Sequence, residues 1–254
     1  MSIRLFICLS LVLIFSACKQ EVSRTYAQEA PSHSAFDALL KEYVDVSGDV
    51  DYSGLQADSN RLNSYLATLS KHHPHAGWTE DEQLAYWINA YNAFTLQLII
   101  RHYPIGSIKD ITFVNIPLVH SPWDLSFIEV EGQRYDLNDI EHGIIRKEFE
   151  VPEIHFALVC AARSCPRLRR EAYIPDQLDA QLADQARDFL SDTRKNIITK
   201  DFIQLSKLFT WYGGDFKRDG SLIDYINQYV PAPVDANARK GSLPYDWNLN
   251  VQLK

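Results

Sequence analysis

The chain has 254 residues, of which 46% are hydrophobic and 23% charged, with a formal net charge of -8. That length is ample for one substantial core. The acidic balance argues against a nucleic-acid binder, which would carry a basic excess to meet phosphate, and otherwise indicates a soluble domain.

The amino terminus carries Arg4, an apolar run from Leu5 to Phe15, and then Ser16 and Ala17 directly before Cys18. This is the layout of a secretory signal, so residues 1–17 are set apart from the fold. An apolar run of about a dozen residues is too short for a hydrocarbon core, which needs roughly 20. Ile14-Phe15-Ser16-Ala17-Cys18 resembles the lipobox of bacterial lipoproteins, with Phe15 where that pattern usually has Leu. The resemblance implies that Cys18 is diacylated and becomes the new first residue, anchoring the chain to a membrane of the cell envelope. Simple secretion is the alternative. Lys19 stands where an Asp would resemble an inner-membrane retention signal, which points to the outer membrane, facing the periplasm. Residues 18–34 read as a lipid-anchored polar tether, and 35–254 as one domain.

Within the domain, Phe36, Leu39, Leu40 and Tyr43 predict a helix from Ser34 to about Val44, followed by a short extended piece around Val50-Asp51-Tyr52. A second helix runs from about Asn60 to Leu69. Thr79-Glu80-Asp81-Glu82 is a capping box that opens a third helix to Arg101, stopped by Pro104. Phe127 to Val130 and Gln133 to Leu137 read as strands around Glu131-Gly132, and Asn138 to Phe149 as a helix burying Ile140, Ile144 and Ile145. The apolar run from His155 to Cys160 predicts a central strand buried on both faces. A long helix then follows Pro175 to about Ser191. Asn196 to Thr199 and Phe202 to Leu205 form a predicted hairpin, Ser221 to Tyr229 a helix, and the region of Tyr245-Asp246-Trp247 an extended tail. Helices and strands alternate without a βαβ rhythm, so the predicted class is α+β, a single mixed helix and sheet domain.

Asn89 and Asn92 fall on the apolar surface of the third helix, where an unpaired amide costs on the order of 1 to 3 kcal/mol. Two readings stand: they pin neighbouring backbone, or they line a polar site. Cys8 leaves with the signal and Cys18 goes to lipid, so Cys160 and Cys165 are the thiols of the mature domain. A reactive Cys160 needs a base, and His142, oriented by Glu141, is the better candidate, because His155 and Cys160 point to opposite faces of a strand. The alternatives are a Cys160 to Cys165 disulfide and an inert thiol pair. Glu141, His142, His155, Cys160 and Cys165 lack the close spacing of a metal motif, so no metal site and no cofactor are expected. His72, His73 and His75 read as a solvated loop. Trp211-Tyr212-Gly213-Gly214-Asp215-Phe216 offers an aromatic wall to a pocket or simply core.

Tyr86 to Phe94, Ile140-Glu141-His142, His155 to Cys160 through Ser164-Cys165-Pro166, Leu205-Ser206-Lys207 with Trp211-Tyr212 and Asp215-Phe216, and Tyr245 to Asn250 together resemble the family called domain of unknown function 547. The resemblance implies that Asn89, Asn92, His142, His155 and Cys160 share a site, without implying a reaction. A looser likeness is to papain-like and transglutaminase-like proteins, whose buried helix begins with the nucleophilic Cys; this helix has Asn instead. The expectation is therefore a polar cleft with one of two uses. As a thiol-dependent hydrolase or acyltransferase it would have Cys160 as nucleophile, His142 as base, Glu141 as orienter and Asn89 or Asn92 at the oxyanion. As a non-catalytic module it would bind a small molecule, peptide or glycan around a structural disulfide.

Overall fold

The computed structural model describes residues 29–112 and 120–252. The signal, Cys18 and most of the tether lie outside those residues. Helix α1 (Ser34–Tyr43) packs on α2 (Tyr52–Ala57) and α3 (Ser59–Leu69), and these two pack on α4 (Glu80–His102). The capping box is formed: the Thr79 hydroxyl accepts from the Glu82 amide at 3.2 Å, and the Glu82 carboxylate accepts from the Thr79 amide at 2.7 Å. Every residue from Leu84 to Ile100 is buried, because short helices, loops and the 128–145 region enclose α4 on all sides. The domain also starts ahead of Ala35, since Pro31 and His33 are buried and the His33 Nδ1 meets the Tyr65 hydroxyl at 2.6 Å.

Strands β1 (Ile128–Val130) and β2 (Gln133–Tyr135) form the expected hairpin, with Glu131 and Gly132 both at positive φ in the turn. The predicted helix after it begins as a π-helical stretch, Asp139–Ile145, before the short α5 (Arg146–Glu148). Ile140 and Ile145 are buried and Ile144 is half-buried.

The segment expected to be a central strand is instead a short helix, α6 (Ile154–Ala157), continuing as irregular extended chain through Cys160. A fully buried apolar run carries no periodicity, so it fits a helical turn as well as a strand. Here α6 sits at the seam between two hydrophobic clusters. Ile154 and Ala157 belong to the large cluster around α4, whereas Phe156 belongs to a smaller one with Phe189, Phe209 and Phe216.

Helix α7 (Leu178–Ser191) packs on α6, and β3 (Ile197–Ile198) pairs with β4 (Phe202–Leu205) as expected. After α8 (Leu208–Trp211) and α9 (Leu222–Asn227), strand β5 (Arg239–Ser242) adds to β4 in parallel. The tail then runs antiparallel to the cysteine loop, joined through a bridge between Ala162 and Leu249. Helices around one buried helix, with two small sheets, make a mixed α+β domain. Among the described residues no helix is long and apolar enough to cross a membrane.

Candidate active site

The π-helical stretch, α6, the cysteine loop, α8 and the tail meet around one cavity of about 240 Å³. Glu141, His142, His155, Cys160 and Cys165 all reach it. A strand would have turned His155 and Cys160 to opposite faces. The helical turn followed by extended chain lets both side the same space.

His155 is 2% exposed. Its ring lies on Tyr212 with centroids 3.8 Å apart, and its Nε2 is 2.7 Å from the Asp215 Oδ2. Asp215 in turn accepts two hydrogen bonds from the Arg146 guanidinium, at 2.7 and 3.0 Å. Those bonds, against the opposing effect of burial and with the help of His155, hold the Asp215 carboxyl down at about 2. An ionised Asp215 makes the Nε2 of His155 the donor. The Nδ1 is then an acceptor, and it has no hydrogen-bond partner among the described residues. Burial pushes the His155 imidazole below its ordinary value, with Asp215 opposing, which favours the neutral ring, and its unpartnered Nδ1 is itself buried.

His142 is held less firmly. Its Nδ1 accepts from Arg146 at 3.1 Å, while the Glu141 carboxylate, 4.0 Å away, is beyond hydrogen-bond reach of that nitrogen. Glu141 is buried and works instead on Tyr212, whose hydroxyl is pushed well up by burial and by that carboxylate.

Cys160 and Cys165 are free thiols in contact. The Cys160 Sγ donates to the Cys165 Sγ at 2.9 Å, and the Cys160 backbone amide donates to the same sulfur at 2.9 Å. The Tyr245 hydroxyl lies 3.2 Å from the Cys160 Sγ. Donating to its neighbour, together with burial, pushes the Cys160 thiol up. Burial also pushes Cys165 upward, but the hydrogen bonds it receives from the Cys160 thiol and amide and from Tyr245 outweigh this and leave it below its ordinary value. Between the two, the hydrogen bonding thus favours a negative charge on Cys165 over one on Cys160.

Asn89 and Asn92 do not line the cavity. The Asn89 amide donates to the Tyr173 carbonyl at 2.7 Å and accepts from the Tyr173 amide at 3.0 Å. Asn92 donates to the Ala157 carbonyl at 2.9 Å and accepts from the Val159 amide at 3.0 Å. Both side chains are engaged with backbone away from the cavity, so neither is placed at an oxyanion there. Asn92 still shapes the site, since Ala157 and Val159 lie between His155 and Cys160.

Reasoning from sequence did not single out Asp215, Arg146 or Tyr245. Asp215 and Tyr245 stood in motif blocks quoted for the family resemblance, but their pairing with His155 and Cys160 spans 60 and 85 positions. The cavity walls also include Tyr91, Trp123, Tyr212, Trp211 and Trp247. Among the described residues no group of three or more His, Cys, Asp or Glu is placed to hold a metal ion.

No curated protein and no solved structure matches this chain. Residues 75–190, which include Glu141, His142, His155, Cys160 and Cys165 but neither Asp215 nor Tyr245, match the model of the family described as a protein of unknown function, DUF547.

Proposed function

We propose that this chain is an envelope lipoprotein, anchored by lipid on Cys18 to the outer membrane and facing the periplasm, whose domain is a thiol-dependent hydrolase or acyltransferase. The observation that carries the catalytic reading is the convergence of two thiols and a neutral, Asp-oriented imidazole on one cavity.

Cys160, half-buried and the more open of the two thiols, is the nucleophile. As its sulfur attacks an acyl carbonyl, its proton passes to the Cys165 thiolate 2.9 Å away and from there to the leaving group. The result is a thioester on Cys160. Water, or an acceptor alcohol or amine, then attacks the thioester. The Nδ1 of His155 takes the attacking group's proton and returns it to the departing Cys160 sulfur. Asp215, fixed by Arg146, holds the imidazole in the tautomer this requires. His155 with Asp215 therefore replaces His142 with Glu141 as base and orienter, because the former pair is hydrogen-bonded and the latter is not. Glu141 and His142 remain as cavity walls that contact the substrate. The chemistry needs no metal or cofactor.

A second reading, a module that binds a peptide or glycan without turnover, is favoured by one observation: Trp211 lines the cavity yet is 48% exposed, a stacking surface left open.

The test uses the full-length chain with Cys8→Ser and Cys18→Ser, reduced and treated with iodoacetamide under native conditions, with labelled peptides mapped by mass. Cys160, the more accessible sulfur, is expected to be labelled ahead of Cys165. Two thiols that stay unlabelled in the folded, reduced protein would leave the binding module as the better reading. Membrane fractionation of the otherwise wild-type chain tests the anchor, which Cys18→Ala is expected to release.

A further inference from the structure

We propose that Cys160 and Cys165 form a reversible two-electron couple that exchanges with external disulfides, and that its oxidised form shuts the cavity's thiol chemistry off. The second half rests on the acyl-transfer reading above; the first does not.

The loop between the two residues is built to hold the sulfurs together. Ala161 is left-handed at φ 59, and the Cys165 amide closes a turn on the Ala162 carbonyl at 3.0 Å. The loop is then fastened to the tail. Arg163 and Ser164 donate backbone amides to the Asn248 and Asp246 carbonyls at 2.9 and 3.1 Å, and the Asp246 amide returns a bond to the Ser164 hydroxyl at 2.8 Å. The same tail brings Tyr245 to Cys160. The ordering needed to bring the thiols together is thus already done by folding, and closing the remaining gap takes a shift of about 1 Å.

Access is asymmetric. Cys160 is half-buried at the cavity, whereas Cys165 is 4% exposed beneath it. An incoming disulfide therefore meets Cys160 first and Cys165 resolves. The Cys160 sulfur attacks one sulfur of the external disulfide, its proton passing to the Cys165 thiolate, and the first external thiolate leaves and is protonated from water. Cys165 then attacks the Cys160 Sγ, its proton going to the second external thiolate as that leaves. The external disulfide is reduced to two thiols by two electrons, and the protein dithiol is oxidised to a disulfide. In reverse, the Cys160 amide and the Tyr245 hydroxyl stabilise the protein thiolates as they are released.

A disulfide formed once and kept would be a clamp; a couple must move both ways. The experiment equilibrates the full-length Cys8→Ser, Cys18→Ser chain in buffers of varied reduced to oxidised glutathione ratio, quenches with acid, and reads intact mass. The expected result is a single reversible transition between dithiol and intramolecular disulfide within the glutathione range, with iodoacetamide labelling of Cys160 at least 100-fold lower on the oxidised side. Adding Cys165→Ser should make a glutathione adduct accumulate on Cys160, because the resolving thiol is gone. No intramolecular disulfide at any ratio would overturn the proposal, and so would a disulfide that persists at the most reducing ratio. Acylation of the reduced chain by p-nitrophenyl acetate separates the two claims. A couple that titrates in a protein that never acylates removes the hydrolase and leaves the redox activity, whereas acylation without a disulfide does the opposite.

Discussion

Replacing Asn92 with Ala tests how the site is held. The side chain is 2% exposed and makes two hydrogen bonds, to the Ala157 carbonyl at 2.9 Å and from the Val159 amide at 3.0 Å. Asn92→Ala orphans both backbone groups in a buried setting, at about 1 to 3 kcal/mol each, so the expected loss is roughly 2 to 6 kcal/mol. For a domain of this size each kcal/mol lowers Tm by about 2 to 4 °C. Urea unfolding followed by circular dichroism measures the loss. The slope against urea should stay constant, since the surface exposed on unfolding is nearly unchanged. Because the clamp lies between His155 and Cys160, the native iodoacetamide rate at Cys160 should change in the same variant. A loss below about 1 kcal/mol would mean that water or rearranged backbone satisfies both groups, and would refute the clamp.

Three further outcomes follow from groups elsewhere in the fold. Asp215 is held at about 2 against about 3.9 in an unfolded chain, so its contribution to stability is full above pH 4 and is lost as pH falls towards 2. Asp215→Asn should lower stability at neutral pH and flatten its decline through that window, as read by thermal melts at a series of pH values. Burial holds the His33 imidazole down at about 4, against about 6.5 unfolded, so the unfolded chain binds more protons between those values. Stability should therefore fall as pH drops from 6.5 to 4, and His33→Asn should remove that slope. Gly48 has a φ of +82, and a Cβ there would lie 2.5 Å from the Arg167 Cβ and 2.8 Å from the Leu168 amide nitrogen. Gly48→Ala is expected to cost about 2 kcal/mol or more in urea unfolding, from left-handed strain and the clash together.

Helices α1, α3 and α4 were legible because each carries its own local signal, whereas α2 (Tyr52–Ala57) lies where an extended piece was expected. Thr79 and Glu82 announce the start of α4, and Leu62, Tyr65, Leu66 and Leu69 repeat at helical spacing in α3. The 155–160 segment was misread because residues buried on every side show no period. Strand β5 was missed because Arg239 to Ser242 is exposed throughout and holds its place by backbone pairing with β4, which leaves no hydrophobic pattern. At the site, residue types were readable and partnerships were not. His155, Cys160 and Cys165 stand out as chemistry-bearing groups near one loop, but Asp215 and Tyr245 join them only through the fold. The two Asn residues show the converse: their burial was evident from the helix pattern, and only the positions of Ala157, Val159 and Tyr173 decide what they bind.

The central claim, a Cys160 nucleophile served by His155 and Asp215, is tested most directly by trapping the acyl-enzyme. The reduced full-length Cys8→Ser, Cys18→Ser chain is mixed with p-nitrophenyl acetate, quenched in acid and mapped by mass. The expected result is one acetyl group, on Cys160, released by water at a rate that falls at least tenfold in Asp215→Asn while the thioester still forms. Acetylation spread over lysines and both cysteines at the rate of free thiols, unchanged by Asp215→Asn, would contradict the account.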